Sequence, residues 1–422
     1  MKPAEPDIDA LEGGVVQKTK KKLAELGLNF AVPTNPKLEQ RGLTAFAKYE
    51  QANPPTETDE VVHILDDGER ARIRALGKRM VLIAFGIGAM SGLISSIASF
   101  ALAVPEDVTT TFWEDVRDFL IVNGVTIVAT MIEVAFLYKF ALQTVHLIAR
   151  EAGIRLIPRG DDPDADEKKA VALALARAAL ELPNPPKNPF GIDPYRDISK
   201  WQLVFTTIFY KLKISLTNFI LRIIIRRIGG RAIVKAYLTF TDVLITGLWD
   251  AWVAWRMVRQ ARIRALGPSA CESLVRQIVS EEGELRPEVY AAMLRAVATT
   301  IVRSQEVHPN LLALMRSIVR QSGVAEVEGL DETQAFFDAL AALAPHERLI
   351  VIEVLLLASF PDGKVSKAEI ERIEQVLKQE LDGGLSNVGR RLDIDHLRRV
   401  SKAFARGMAI PRKALQGAIA GA

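Results

Sequence analysis

The stretch FPDGKVSKAE, which begins at Phe360, carries the residue types of half a calcium-binding loop. In a twelve-residue calcium loop the ligands stand at positions 1, 3, 5, 7, 9 and 12, with glycine at position 6. Gly363 at position 6 puts Asp362 at position 5 and Glu369 at position 12, but Ala358 and Phe360 at positions 1 and 3 offer no ligand. Because Ca²⁺ takes six to eight oxygens, the pattern does not predict a calcium loop.

The same turn has an interpretation that needs no ion. Gly363 permits the left-handed conformation that closes a helix. Ser366 stands where a cap begins the next helix, with Glu369 at the reciprocal capping-box position. Asp362 can accept amide hydrogen bonds across the turn. We therefore favour a capped helix–turn–helix without a cofactor, and a divalent cation held by Asp362 and Glu369 is the alternative.

A weaker copy of this turn lies earlier in the chain, in SEEGELRPE. Its glycine follows one acid, Glu282, and precedes two more, Glu284 and Glu288. Three carboxylates around one short turn form a local negative field, so they are candidate residues for interaction with a protein partner.

The longer stretch LLLASFPDGKVSKAEIERIEQVL resembles the helix–Asp-Gly–helix motif of TerB-like (tellurite-resistance B) domains. In that motif an apolar helix ends in Asp-Gly, followed by Ile or Val, a Ser cap and a Glu seven residues after the Asp. The matching positions are Asp362, Gly363, Val365, Ser366 and Glu369. The resemblance covers about residues 268–408. It implies a helical bundle with two related turns, and a role in membrane-linked complexes of envelope or metal stress response.

Other residues that could do chemistry are scattered along the chain. The five histidines lack metal-ligand spacing, and no phosphate-binding glycine loop or nucleophile motif is present. The single cysteine, Cys271, excludes an internal disulfide. A net charge of +3 over 422 residues does not indicate nucleic-acid binding. We therefore expect a protein that is not an enzyme and has no nucleic-acid partner.

Two apolar runs predict a transmembrane hairpin, with spans at about residues 80–104 and 119–138. Each run reaches the ~20 residues that a helix needs to cross a bilayer. Small residues recur at helical spacing in the first span, which predicts a face where another helix packs closely. This face also allows a homo-oligomer. Its residues are Gly88, Gly92, Ser95 and Ser99.

The charges around the hairpin predict its orientation. Arginine and lysine precede the first span and follow the second, whereas the loop between the spans is acidic. Positive residues stay on the cytoplasmic side. The hairpin also loosely resembles uncharacterised bacterial integral membrane proteins. We therefore expect it in a bacterial inner membrane, with both chain termini in the cytoplasm.

Ionisable residues at membrane depth are candidates for function because they are costly there. Glu133 either faces an ion or proton path or pairs with a base near the inner interface, where Lys139 and His146 follow it. We favour the paired interpretation. Asp242 and Asp250, eight residues apart, share a helix face and are expected to pair with bases of the preceding helix.

A second apolar pair, over residues 201–264, has two interpretations. Two crossings would put its basic connecting turn outside, against the positive-inside tendency. We therefore favour an interfacial pair that binds the lipid bilayer and its anionic headgroups, with four spans in total as the alternative. The expected headgroup residues are Arg222, Arg226, Arg227, Arg231 and Lys235. The heptapeptide ARIRALG stands at residues 71–77 and again at 261–267, where we expect the cytoplasmic surface.

Beyond Gly267 apolar residues recur at helical spacing with charges opposite, which predicts a compact helical domain. Its helices are predicted at about 269–282, 287–305, 308–322, 331–343, 345–360, 366–381 and 393–408. The whole chain is predicted to be all-α: a transmembrane hairpin and basic amphipathic helices, followed by a cytoplasmic TerB-like bundle. The predicted units are a flexible cytoplasmic region (1–57), a juxtamembrane helix with the hairpin (58–150), a polar linker with one helix (151–200), the helix pair (201–264), the TerB-like domain (265–410) and a tail (411–422).

Two functions of different classes follow from this organisation. The favoured one is a membrane-anchored interaction or scaffold protein that presents its helical module to unknown protein partners. The alternative is a subunit of a membrane transporter or channel, with Glu133, Asp242 or Asp250 along a polar path. A lipid-binding role for the basic helices is a third hypothesis.

Overall fold

A computed structural model shows how these segments pack. It describes residues 36–54, 63–101, 112–157, 165–180, 182, 190–192, 235–304, 306–324, 327–382, 391–408 and 410–420. Over these residues the regular structure is helical, apart from one two-residue antiparallel ladder. The predicted all-α class is therefore confirmed.

The first half of the described chain contains the longest helices. They are α1 (Pro36–Ala52), α2 (Asp67–Ala101), α3 (Phe112–Glu151), α4 (Ala165–Ala179) and α5 (Lys235–Glu282). Among the described residues, two segments are long and apolar enough to cross a membrane, judged by length and composition: Asp67–Ile97 in α2 and Gly124–Glu151 in α3. They coincide in part with the predicted hairpin.

Shorter helices form the C-terminal domain with the end of α5. They are α6 (Pro287–Ser304), α7 (Pro309–Ser322), α8 (Thr333–Ala341), α9 (Pro345–Ala358), α10 (Lys367–Asp382), α11 (Ile394–Ala405) and α12 (Arg412–Gln416). Strand β1 (Arg391–Leu392) pairs antiparallel with β2 (Ile419–Ala420). Proline begins α6, α7 and α9, because the first residue of a helix needs no backbone donor.

Helix α5 is one continuous helix of 48 residues where the sequence predicted separate helices. Gly267 and Pro268 are typical of a helix end, but here they lie inside. Asn310 of α7 explains why. A Cβ built at Gly267 would lie 2.1 Å from Asn310 Oδ1, and Asn310 Nδ2 donates to Ile263 O at 3.1 Å. Gly267 leaves room for the Asn310 side chain. This side chain hydrogen-bonds a carbonyl group in the helical turn where Pro268 cannot donate a backbone hydrogen bond. The helix therefore continues past the predicted domain boundary at 265.

Helices α2 and α5 run antiparallel, and glycines set their closest approach. A Cβ built at Gly77 would lie 2.7 Å from Val258 Cγ1, and one at Gly88 would lie 2.8 Å from the carbonyl oxygen of Thr246. In the other direction, a Cβ at Gly247 would lie 3.0 Å from the carbonyl oxygen of Phe85. The contact therefore extends along the apolar part of α2 and fixes one register.

An N-terminal core joins α1 and α4 to the adjoining ends of α2 and α3 and to the middle of α5. Phe46, Ile73, Ile148, Leu175 and Ala261 are fully buried in it. The region predicted to be flexible over residues 1–57 therefore contains an ordered helix, because α1 buries an apolar face that includes Phe46.

The last residues belong to the C-terminal domain, which corrects the prediction of a tail. Leu415 is fully buried, and Leu392 pairs with Ile419 across the ladder. Arg412 Nε donates to Glu353 Oε2 at 2.6 Å in the interior of the domain. A buried charge needs a partner, so this ion pair holds the end of the chain in place.

Candidate functional site

The Asp-Gly turn has the contacts that the capped interpretation predicts. Gly363 has φ +73°, and its N–H donates to Phe360 O at 2.9 Å. Asp362 Oδ1 accepts from the Lys364 N–H at 2.9 Å. Ser366 Oγ accepts from the Glu369 N–H at 3.2 Å, while Glu369 Oε2 accepts from the Ser366 N–H. Both acids of the motif therefore serve the backbone of the turn.

Two carboxyl groups of the turn, those of Asp362 and Glu369, are the candidate ligands for a cation. Within the described ranges no group of three or more His, Cys, Asp or Glu residues could hold a metal ion. Burial raises the pKa of Glu369, and the nearby charge of Asp362 raises it further. The hydrogen bonds that Glu369 makes with the backbone and side chain of Ser366 lower it. The cation alternative at Asp362 and Glu369 stays a hypothesis.

The three acids of the second turn take different roles. Glu282 is exposed, but its Oε1 lies 2.6 Å from Arg412 Nη2, so this carboxylate is already held in an ion pair. Glu284 and Glu288 are exposed on either side of the loop into α6. The candidate interaction surface is thereby reduced to Glu284 and Glu288.

The Asp-Gly turn is fastened to α5 at a place we call the joint. Asn310 Nδ2 donates to Pro361 O at 2.8 Å as well as to Ile263 O. Arg259 Nη2 donates to Asp362 O at 3.2 Å. Arg262 Nη2 donates to Ala405 O, at the end of α11, at 3.1 Å. Sequence reasoning missed all three donors, because they contact residues 47 to 143 positions away.

Four arginines converge beside the joint, and we call them the arginine cluster: Arg74, Arg259, Arg262 and Arg406. Burial lowers the pKa of Arg262, and the charges of Arg259, Arg74 and Arg406 lower it further. Arg262 Nε is buried without a hydrogen-bond partner. Arg74 and Arg262 belong to the two ARIRALG copies, which is the one sequence signal that pointed to this place. Concentrated guanidinium groups favour a phosphate-bearing ligand.

A glycine substitution tests the fit of the turn against α11. A Cβ at Gly363 would lie 2.3 Å from Ala405 Cβ, and φ +73° adds backbone strain. We expect Gly363→Ala to lower the free energy of unfolding by about 2 kcal/mol. The measurement is thermal unfolding of the full chain in detergent.

Gly283 is the matched control for Gly363. It has φ +77°, but a Cβ there would meet no atom within 4 Å. Gly283→Ala should therefore pay only the backbone strain, about 1 kcal/mol. Equal losses in the two variants would contradict the close contact at Ala405.

His308 gives the C-terminal domain a defined acid sensitivity. The ring is 3% exposed, and Nδ1 accepts from the Asn310 N–H at 3.2 Å. Burial lowers its pKa from 6.5 to about 3, and the charge of Arg264 contributes. As pH falls below about 6.5 the unfolded chain binds a proton that the folded chain does not. Stability should therefore fall by about 1.4 kcal/mol per pH unit between these values.

His308→Asn tests this, since asparagine retains an acceptor at the helix cap and does not titrate. Unfolding free energies measured across this range should depend less on pH in the variant than in the parent. An unchanged pH dependence would show that His308 is not the responsible group.

Exposed apolar side chains are concentrated on three helices. In the described part of the chain, every large apolar residue that is exposed lies on α2, α3 or α5, except Ile64 and Met408. Leu82 is 72% exposed, Met131 68% and Leu248 62%. We call this surface the apolar band: residues 82–97 of α2, 128–138 of α3 and 244–255 of α5. An apolar surface of this extent is typical of contact with a membrane or partner.

The apolar band contains two acids, Glu133, which is half-buried, and Asp250, which is buried. Gly88 faces Asp250, and a Cβ there would lie 2.6 Å from Asp250 Oδ2. The charge of Glu133 on α3 acts on Asp250. The partner expected for Glu133 was a base, Lys139 or His146. His146 lies beside Tyr49, with ring centres 5.8 Å apart, so it is not that partner, and the pairing of Glu133 with Lys139 stays a prediction.

The remaining predicted residues are only partly described. Gly92 is buried and Ser95 is half-buried on α2, whereas the side chain of Ser99 lies outside the described part. Lys235 begins α5, but its side chain and that of Asp242 also lie outside it. The four predicted headgroup arginines, Arg222, Arg226, Arg227 and Arg231, lie outside the described residues.

Comparison of the chain with protein-family models, with curated proteins and with solved structures found no match. The resemblance of residues 268–408 to TerB-like domains therefore stays a prediction.

Proposed function

We propose that this protein is a membrane-anchored scaffold that holds a helical module at the cytoplasmic face of a bacterial inner membrane. The observation that carries the proposal is the continuity of α5. This helix begins in the apolar band and ends in the core of the C-terminal domain, where Leu274 and Ile278 are fully buried. No linker separates the two parts, so the module keeps a fixed position relative to the band.

The apolar band supports insertion of α5 beside the hairpin. Gly77 of α2 lies against Val258 of α5. Helix α2 continues for 24 residues after Gly77, to Ala101, and α5 begins 23 residues before Val258, at Lys235. Because the helices are antiparallel, the start of α5 is level with the end of α2. The 23 residues rise about 35 Å, enough to cross a hydrocarbon core of about 30 Å. The packing of α5 along the apolar part of α2 supports a crossing by α5, as the four-span alternative requires. By length and composition, the described helices that qualify as spans are those of the hairpin, and residues 201–228 lie outside the described part.

The ends of the band support the cytoplasmic orientation. Trp252 and Trp255 are exposed near the joint, and the Arg256 guanidinium lies 5.1 Å from the centre of the Trp252 ring. Tryptophan and arginine together are typical of the headgroup level. The arginine cluster follows at the same end, where it would bind anionic headgroups of the cytoplasmic leaflet.

The module would bind its protein partner through Glu284 and Glu288, which are exposed on the second turn. The TerB-like resemblance suggests that the partner belongs to an envelope or metal stress response. A photo-crosslinking residue in place of Glu284 or Glu288 should capture a protein in intact cells, whereas one at exposed Lys378 on α10 should not.

The captured protein should then be purified and titrated against the full chain in nanodiscs. Glu284→Gln with Glu288→Gln should weaken its dissociation constant at least tenfold, which corresponds to about 1.4 kcal/mol. Capture that is equal at Lys378, or binding that ignores both substitutions, would overturn the scaffold proposal.

A transporter subunit is the second candidate function, and the acid pair inside the apolar band favours it. Proteoliposomes that show ion or proton flux dependent on Glu133 would support this candidate. Flux that is unchanged by Glu133→Gln would exclude a path through this pair.

A further inference from the structure

The arginine cluster beside the joint carries positive charges that have no negative partners. In the described part of the chain, no ion pair includes any of its four members, Arg74, Arg259, Arg262 and Arg406. By contrast, the buried Arg412 is paired with three glutamates. A charge removed from water needs a partner of opposite sign, so the cluster is suited to an anion that does not belong to this chain.

The packing of α2 against α5 brings two of these arginines to the same level. Gly77 lies against Val258, since a Cβ built at this glycine would lie 2.7 Å from Val258 Cγ1. Arg74 stands three residues before Gly77. Arg262 stands four residues after Val258. Because the helices are antiparallel, both arginines lie about one helical turn from this contact, on its side away from the apolar band.

Hydrogen bonds place the other two arginines beside them. Arg262 Nη2 donates to Ala405 O at 3.1 Å, and Arg406 directly follows Ala405 in the chain. Arg259, less than one turn before Arg262 on α5, donates through Nη2 to Asp362 O at 3.2 Å. A guanidinium group has five N–H donors, so both groups keep donors for a ligand. Arg262 Nε is buried without a hydrogen-bond partner.

The cluster is accessible from one side and lies near the expected headgroup level. Arg74 and Arg406 are exposed, whereas Arg259 and Arg262 are half-buried. Burial lowers the pKa of Arg262, and the charges of the other three arginines lower it further, in agreement with their placement by packing and hydrogen bonds. Trp255, about one turn before Arg259 on α5, is exposed. A phosphate group at the membrane surface is therefore within reach of the cluster.

We propose that the arginine cluster binds a phosphate monoester group, which carries nearly two negative charges and three acceptor oxygens. Guanidinium groups bind phosphate through parallel pairs of N–H donors. A phosphodiester carries less charge and has fewer free oxygens, so it should bind more weakly. Phosphatidic acid in the cytoplasmic leaflet and a soluble phosphorylated molecule both offer this group. The lipid source rests on the proposed function, whereas the phosphate site itself does not.

Calorimetric titration of the full chain in a non-ionic detergent tests the site and separates these sources. The probes are short-chain phosphatidic acid, short-chain phosphatidylglycerol and inorganic phosphate. We expect phosphatidic acid to bind, and phosphatidylglycerol, a phosphodiester, to bind about tenfold more weakly. Inorganic phosphate that binds as tightly as phosphatidic acid would support the site with a soluble ligand. Weaker binding of inorganic phosphate would support the site with the lipid.

Variants of the cluster show where the ligand binds. Arg262→Met should weaken binding of phosphatidic acid about tenfold. Arg295→Met on α6 is the matched control and should leave binding unchanged. Like Arg262, Arg295 donates through Nη2 to a backbone carbonyl, that of Glu328 at 2.7 Å, and its Nε is buried without a partner. Arg74→Gln combined with Arg406→Gln removes two exposed members of the cluster and replaces Arg262→Met in the test if that variant does not fold.

Helical circular dichroism and elution volume show which variants are folded. Absence of binding by all three probes, or phosphatidylglycerol that binds as tightly as phosphatidic acid, would overturn the inference. Folded cluster variants that bind phosphatidic acid like the parent would also overturn it. The titration requires neither a bilayer nor a protein partner, so its failure is distinct from a failure of capture at Glu284 and Glu288.

Discussion

Replacing Gly88 by alanine is expected to destabilise the protein by about 3 kcal/mol, and leucine at this position should prevent folding. The new Cβ would lie 2.6 Å from Asp250 Oδ2 and 2.8 Å from the carbonyl oxygen of Thr246. The second of these atoms is backbone, so it cannot move without displacing α5. The loss should exceed the gain of up to about 1 kcal/mol that alanine provides in a helix interior.

Gly86, about half a helical turn before Gly88 on α2, is the matched control. It is exposed in the apolar band, and a Cβ there would meet no atom within 4 Å. Gly86→Ala should leave the thermal midpoint unchanged or raise it, whereas Gly88→Ala should lower it. Midpoints measured in detergent that shift equally in both variants would contradict the packing of α2 against α5.

Replacing Arg412 by methionine should cost about 3–5 kcal/mol, because it leaves a buried carboxylate unpaired. The side chain of Glu353 is 3% exposed, and its oxygens receive Arg412 Nε at 2.6 Å and Gln416 Nε2 at 2.9 Å. The same guanidinium also bonds Glu281 and Glu282 at the end of α5. We therefore expect the end of the chain, α12 and β2, to detach from the domain.

Two further variants separate charge loss from general damage. Lys367→Met removes an exposed ion pair with Glu371, whose side chains are 92% and 64% exposed, and should change stability by less than about 1 kcal/mol. Glu353→Met added to Arg412→Met should recover most of the loss, because no buried charge then remains. Denaturant unfolding measures all three, and a double variant as unstable as Arg412→Met would contradict the account.

The local signals in the sequence predicted the C-terminal domain well. The spacing of apolar and charged residues is a property of each single helix, so the bounds of α6 to α11 agree with prediction to within a few residues. The capping contacts of Ser366 and Glu369 were predicted for the same reason.

Features that depend on contacts between residues far apart in the chain could not be predicted from the sequence pattern. Gly267 and Pro268 predict a helix end, and only Asn310, 42 residues after Pro268, shows why α5 continues. Glu133 and Asp250 are 117 positions apart and have the same charge, so pattern reasoning sought a base for each. The arginine cluster likewise combines residues from α2, α5 and the end of α11, and repetition of ARIRALG was its only trace.

The crossing of α5 is the central claim, and cysteine accessibility tests it most directly. Cys271 is the single native cysteine and is buried, so a Cys271→Ser background accepts one new cysteine at a time. Lys235→Cys marks the start of α5, and Ser280→Cys marks its exposed end in the C-terminal domain. In intact cells, a membrane-impermeant thiol reagent should label Lys235→Cys and should reach Ser280→Cys only after permeabilisation. Labelling of both positions only after permeabilisation would contradict the crossing.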